Sequence, residues 1–287
     1  IMTNALPTMY PDSKYADCMP IGSLDVINNF PYQDIRDYYA KWYRPDLQGI
    51  MIVGDINVDE MEAKLKKVFA DVKAPVHPAN RIYYPVADNQ EPLIFIGTDK
   101  EIETPSISFF FKSEAFPDSL KNTINYYGIQ YMLSMGISML NSRLAEIRQQ
   151  ADPPFTGASA GYGDFFVAKT KSAFGIDASS KIGGIELAMK TILEEAERAR
   201  RFGFTETEYD RARANYLQRV ESAYNEREKM KNDTYVNEYI SNFLDNEPMP
   251  GIEYEYAMMN KLAPNIPVTA INQVMQQLIT DNNQVVL

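Results

Sequence analysis

From Pro31 the apolar residues Ile35, Tyr38, Tyr39 and Trp42 recur at three- and four-residue spacing, the pattern of one helical face. Arg44-Pro45-Asp46 ends the pattern, because the residue before a proline is pushed out of the helical region. Residues 49–55 are a short apolar run bounded by Gly49 and Gly54, which predicts a buried strand. Asn57 and Glu60 form a capping box ahead of a helix whose stripe is Met61, Leu65, Val68 and Phe69. Pro75, Pro78 and Pro85 then interrupt the chain with no sustained periodicity, so a linker is expected over 76–90. The expected domains are therefore 1–75 and 91–287.

Beyond the linker, residues 93–96 and 107–111 read as strands, followed by a long helix that closes with Leu140, Leu144 and Ile147. Residues 122–142 carry no charge, which raises the question of a membrane span. Asn125, Gln130, Ser134, Ser138 and three tyrosines argue instead for a buried helix. Pro153-Pro154 stops it, and 155–162 and 167–179 predict two more strands, the first rich in small residues. A helix with Leu187, Ile192, Leu193 and Ala196 follows Gly183-Gly184. Thr205 and Glu208 then form a second capping box, ahead of a helix with Tyr209, Ala212, Tyr216, Val220 and Tyr224 on one face. Residues 268–278 predict a final helix and 284–287 a strand. A constant offset places Pro31, Ile35, Tyr39, Trp42, Gln48, Ile50 and Met51 on Pro267, Ile271, Met275, Leu278, Gln284, Val286 and Leu287. Read as an internal repeat, this means that the chain holds the end of one long unit and nearly all of the next.

Composition is that of a folded protein, with a formal net charge of −11 that repels phosphate backbones and anionic lipid, so nucleic acid is excluded as an expected partner. The chain opens on Ile1 with nothing resembling a signal peptide and is read as a piece of a longer polypeptide. The chemistry-bearing residues are few. His77, the one histidine, sits in the linker, whereas a triad needs a positioned imidazole and a zinc site two or three His or Cys ligands. Cys18 has no CxxC partner. Gly157, Gly161 and Gly163 match no phosphate-loop pattern and are read as close packing of a small-residue strand. Glu194, Glu195 and Glu197 alternate with Arg198, Arg200 and Arg201 as a solvated helix face. Asn232-Asp233-Thr234 matches the short glycosylation pattern and carries little weight.

Pro20-Ile21-Gly22, Asn29-Phe30-Pro31, Trp42-Tyr43-Arg44-Pro45-Asp46-Leu47 and Val53-Gly54-Asp55 resemble the end of the catalytic domain in the inverzincin zinc peptidases, the pitrilysin/insulinase family. Leu140-Asn141-Ser142-Arg143-Leu144, Asp152-Pro153-Pro154-Phe155, Gly161-Tyr162-Gly163-Asp164-Phe165, Arg200-Arg201-Phe202-Gly203-Phe204-Thr205 and Asn225-Glu226-Arg227 resemble the domain that follows it in the two-half bacterial members. The resemblance implies an α+β fold of tandem domains, each a mainly antiparallel sheet with helices on one face. It implies a zinc peptidase as the parent, its H-x-x-E-H motif and third ligand lying upstream of Ile1, and no metal or cofactor site in this segment. Of the Arg and Tyr that bind substrate in the family's C-terminal half, Arg148 matches the arginine, but Phe155 stands where the tyrosine would be and offers no hydroxyl. Arg148 is thus the one catalytic candidate, with a structural role as the expectation. Implied partners are peptide substrates and the remaining domains of the polypeptide, in the bacterial cell envelope or periplasm, with no membrane span in this segment. Two alternatives stay open: an inactive partner or assembly module of the same fold, and a carboxylate-dependent hydrolase whose acid pair the spacing does not identify.

Overall fold

The computed structural model describes residues 1–17 and 19–287, so the reading of Cys18 lies outside the described residues. Helices α1 (Met2–Met9), α2 (Leu24–Asn29), α3 (Tyr32–Trp42) and α4 (Val58–Val68) precede strands β1 (Leu93–Ile94) and β2 (Ser106–Glu114). Helix α5 (Ile124–Arg148) leads to the hairpin β3 (Gly157–Phe165) and β4 (Ala168–Ser179). Then come α6 (Ile185–Phe202), α7 (Glu206–Asn225), α8 (Asn232–Asp245), α9 (Ile252–Leu262), α10 (Val268–Leu278) and β5 (Gln284–Val286). These elements form two compact units, neither of them a continuous stretch of chain.

The larger unit comprises residues 1–19, 83–224 and 252–287. Its sheet has the order β1-β5-β2-β4-β3, with β1 and β5 parallel and every other pair antiparallel. On β2, Ile107, Phe109 and Phe111 point into the main core, while Phe110 joins a second apolar cluster. On β4, residues 171–176 are all buried, as expected for a strand covered on both faces. Helices α5, α6 and α10 supply the main core. Met135, Met139, Leu140 and Leu144 of α5 are fully buried, so the uncharged helix is a core helix. It meets α10 at Gly136, where an added Cβ would lie 2.5 Å from Met275 Sδ. The second cluster is built by α1, whose Ala5, Leu6 and Met9, with Tyr10, pack against Val86, Phe165, Ala173 and Val285. The Tyr10 hydroxyl donates to Phe165 O (2.5 Å) and accepts from Val167 N–H (3.2 Å), pinning the β3–β4 turn. Burial pushes this phenol up to about 12.

The smaller unit comprises residues 20–82 and 225–251. Helices α3 and α4 form where the apolar spacing places them, and Asn57 Oδ1 caps α4 by accepting from Glu60 N–H at 3.1 Å. The strand expected over 49–55 does not form: the segment has no regular structure and ends in a bend at 54–55, with Ile50 and Ile52 exposed. A strand is held by its neighbours, and among the described residues this unit contains no strand to pair with.

This grouping differs in two places from a division at 76–90. Residues 1–19 join the larger unit through α1, and α8 joins the smaller one. The interval 76–90 is itself not uniform. Its first part is exposed, but Tyr84 O accepts from Thr170 Oγ1 (2.8 Å), Ala87 O from Lys112 Nζ (2.5 Å) and Asp88 from Lys171 Nζ (2.8 Å). Burial lowers the Lys112 ammonium from its usual range, although Asp88 partly offsets it.

Candidate functional site

The larger unit has a cleft of about 680 Å³ between α5, β3 and α7. Ser134, Ser138 and Asn141 line it from α5, Tyr162 from β3 and Arg219 from α7. Hydroxyls, amides and one exposed guanidinium can hydrogen-bond a polar chain, but they include no imidazole or carboxylate to act as a general base.

Most motif residues around the cleft are engaged in holding it together. Asn141 Nδ2 donates to Ala160 O (3.0 Å) and its Oδ1 accepts from Ala160 N–H (2.7 Å), which ties α5 to β3. Two residues on, Arg143 grips Glu208 of α7 in a fork, Nε to Oε1 at 2.6 Å and Nη2 to Oε2 at 3.0 Å. Its Nη2 also donates to Gly203 O at 2.9 Å, and the guanidinium lies 4.5 Å from the Phe204 ring centroid. The corner between α6 and α7 turns at Gly203 (φ 68°), where an added Cβ would lie 2.4 Å from the Asn272 amide. Asn272 holds the next residue by accepting from Phe204 N–H (2.8 Å) and donating to Phe204 O (3.1 Å). Glu208 closes the capping box, its Oε2 accepting from Thr205 N–H at 2.8 Å and Oγ1 at 2.9 Å. Burial alone would raise this carboxyl, but hydrogen bonds from Arg143 and Thr205 outweigh burial and hold it at about 2. Behind this corner, the Tyr131 and Tyr209 hydroxyls are 3.0 Å apart, and Tyr209 donates on to Ile266 O at 2.8 Å.

The structure scatters the other residues singled out by sequence. Arg148 is exposed in the last turn of α5, where a cation complements the helix C-terminus, and Phe155 is buried in the main core. His77 is exposed on the smaller unit. Among the described residues no group of three or more His, Cys, Asp or Glu side chains converges to hold a metal. Glu194, Glu195 and Glu197 pair along α6 with Lys190, Arg198 and Arg200. Asn232 opens α8 on an exposed turn. The close packing expected at Gly157, Gly161 and Gly163 is overturned: an added Cβ at each meets nothing within 4 Å. These glycines alternate with Ala158, Ala160 and Tyr162, which face the core, so they fall on the open side of an end strand.

Comparisons with known proteins fit this arrangement. The family described as the peptidase M16 inactive domain matches residues 29–216. A protein of Arabidopsis thaliana named "Zinc protease PQQL-like" is 29% identical over 273 residues, covering 95% of this chain and 25% of that protein. The "Probable zinc protease PqqL" of Escherichia coli K12 is 22% identical over 95% of this chain and 29% of its own length. The crystal structure of the periplasmic protease PqqL from Escherichia coli matches 99% of this chain and 31% of that one, with a TM-score of 0.85 at 21% identity. The chain thus spans between a quarter and a third of these relatives. Among the described residues no helix is long and apolar enough to cross a membrane.

Proposed function

The chain belongs to the peptidase M16 family, as its inactive domain, and from that premise we propose that it is a non-catalytic segment of a zinc metalloendopeptidase, part of the wall of a peptide-holding chamber. In this reading residues 1–75 close the catalytic-type domain, 76–90 connect and 91–287 form the second domain. Zinc belongs to the parent protein, on a motif outside this chain, and Arg148 has a structural role. The observation that carries the reading is the family match, because it covers α5, β3 and the first half of α7, the elements around the cleft. It is supported by Arg143 and Glu208, motif residues that are engaged in packing rather than presented to the cleft. The polar cleft offers hydrogen-bonding groups that suit a peptide backbone. A periplasmic address is supported by the likeness to the periplasmic protease PqqL of Escherichia coli.

The test uses this chain and the longer parent side by side, measuring zinc after extensive dialysis and hydrolysis of an unfolded protein substrate. Activity and zinc in the parent, with neither in this chain, is the expected outcome. Stoichiometric zinc in this chain, or proteolysis that survives its repurification, overturns the proposal. A second reading, an inactive assembly module, is favoured by the exposed apolar face of α3; it predicts a parent protein that also lacks zinc and activity.

A further inference from the structure

Strand β3 ends the sheet order, so one of its edges has no strand beside it among the described residues. Such an edge offers N–H and C=O groups to any chain that can lie alongside. Proteins guard it with lysine, proline, a bulge or a cover. Across residues 157–165 there is no lysine and no proline, the one charge is Asp164, and the register shift comes only at the last residue. At the middle of the strand, however, Ala160 N–H donates to Asn141 Oδ1 and Ala160 O accepts from Asn141 Nδ2. A primary amide carries the same donor and acceptor as a peptide group, so Asn141 stands where one residue of an added strand would stand.

We propose that Asn141 is an edge cap: by occupying both pairing groups of Ala160 it keeps β3 from adding a strand of a second copy of this chain. The amide is well anchored for that task, since Leu144, one turn further along α5, is fully buried and Arg143 is held by Glu208. The cleft beside it leaves room for an extended segment, and any strand laid along β3 has to displace this amide. Ala160 is itself almost buried, so its N–H without Asn141 lacks both partner and full hydration.

The test uses the full 287-residue chain as wild type, Asn141→Ala, Asn141→Leu, which keeps the volume without either pairing atom, and the double variant Asn141→Ala/Ala160→Pro. Proline at 160 removes the outward N–H without breaking the ladder to β4. Amide hydrogen exchange over 157–165 is followed at low and high protein concentration, alongside sedimentation velocity. At low concentration the single variants exchange at Ala160 about tenfold faster or more than wild type, the loss expected for one hydrogen bond. At high concentration they gain protection across 157–165 and a larger species, while wild type and the double variant gain neither. Single variants without concentration-dependent protection, or a double variant that keeps it, overturn the proposal.

Discussion

At Glu208 burial and hydrogen bonding pull the carboxyl in opposite directions, and hydrogen bonding prevails. Its folded value of about 2 lies below the 4.5 of a free glutamate, so the group stabilises the fold fully above about pH 5, and this contribution fades as pH falls toward 2. The difference corresponds to about 3 kcal/mol, a figure the modest exposure of both partners does not greatly reduce. Glu208→Gln is expected to lose stability of that order at pH 7 in urea unfolding, and to show a flatter decline than wild type between pH 5 and 2. Equal acid limbs in the two proteins would show that the Arg143 fork does not stabilise the larger unit. Only half of this junction was legible in the sequence. The capping box announces Glu208 from three residues away, but Arg143 lies 65 positions upstream, and no periodicity links two helices that meet only in the folded chain.

At the scale of elements, α3 and α10 make a controlled comparison. Both have 11 residues, both follow a proline at the N-cap, and their boundaries obey the repeat offset residue for residue. Local pattern therefore sufficed to place both helices. Their surroundings then part: Ile271 and Met275 of α10 are fully buried, whereas the matching Ile35 and Tyr39 of α3 are 57% and 62% exposed. The segments that follow diverge in the same way, since β5 lies between β1 and β2 while residues 48–51 pair with no strand among the described residues. The expectation of a strand at 49–55 failed because periodicity reports what a segment can do, and pairing depends on which strands are present. Ile271→Ala is expected to cost about 2–5 kcal/mol in the unfolding of the larger unit. Ile35→Ala should stay within about 0.5 kcal/mol. A loss at Ile35 as large as at Ile271 would mean that α3 has a covered face in this chain. Helix α1 was missed for a different reason, because Pro7 inside it masks its short apolar stripe.

At the scale of the whole chain, the prolines mark an interruption over 76–90 but do not reveal which part of it is held. Residues 71–78 are exposed, whereas 84–88 are hydrogen-bonded to β2 and β4. Limited proteolysis is accordingly expected to cut first within 73–82 and to spare 83–89. First cleavage inside 83–89 would mean that the strap across the sheet is loose. The prolines mark where regular structure stops, and the two lysines and the threonine that bind the strap come from strands further along the chain, so nothing local announces them.

Strand β5 lies between β1 and β2 although it is the last strand in sequence. During synthesis, β2 emerges from the ribosome with Phe109 waiting for Val286, a partner that arrives roughly 180 residues later and, at about 5–20 residues per second, some 10–35 s later. Until then the place between β1 and β2 is empty, and the groups that β5 will take are open to any other extended segment. Completion of this sheet waits for the last strand, and those seconds are the interval in which translation speed and chaperone access can act on the open edge.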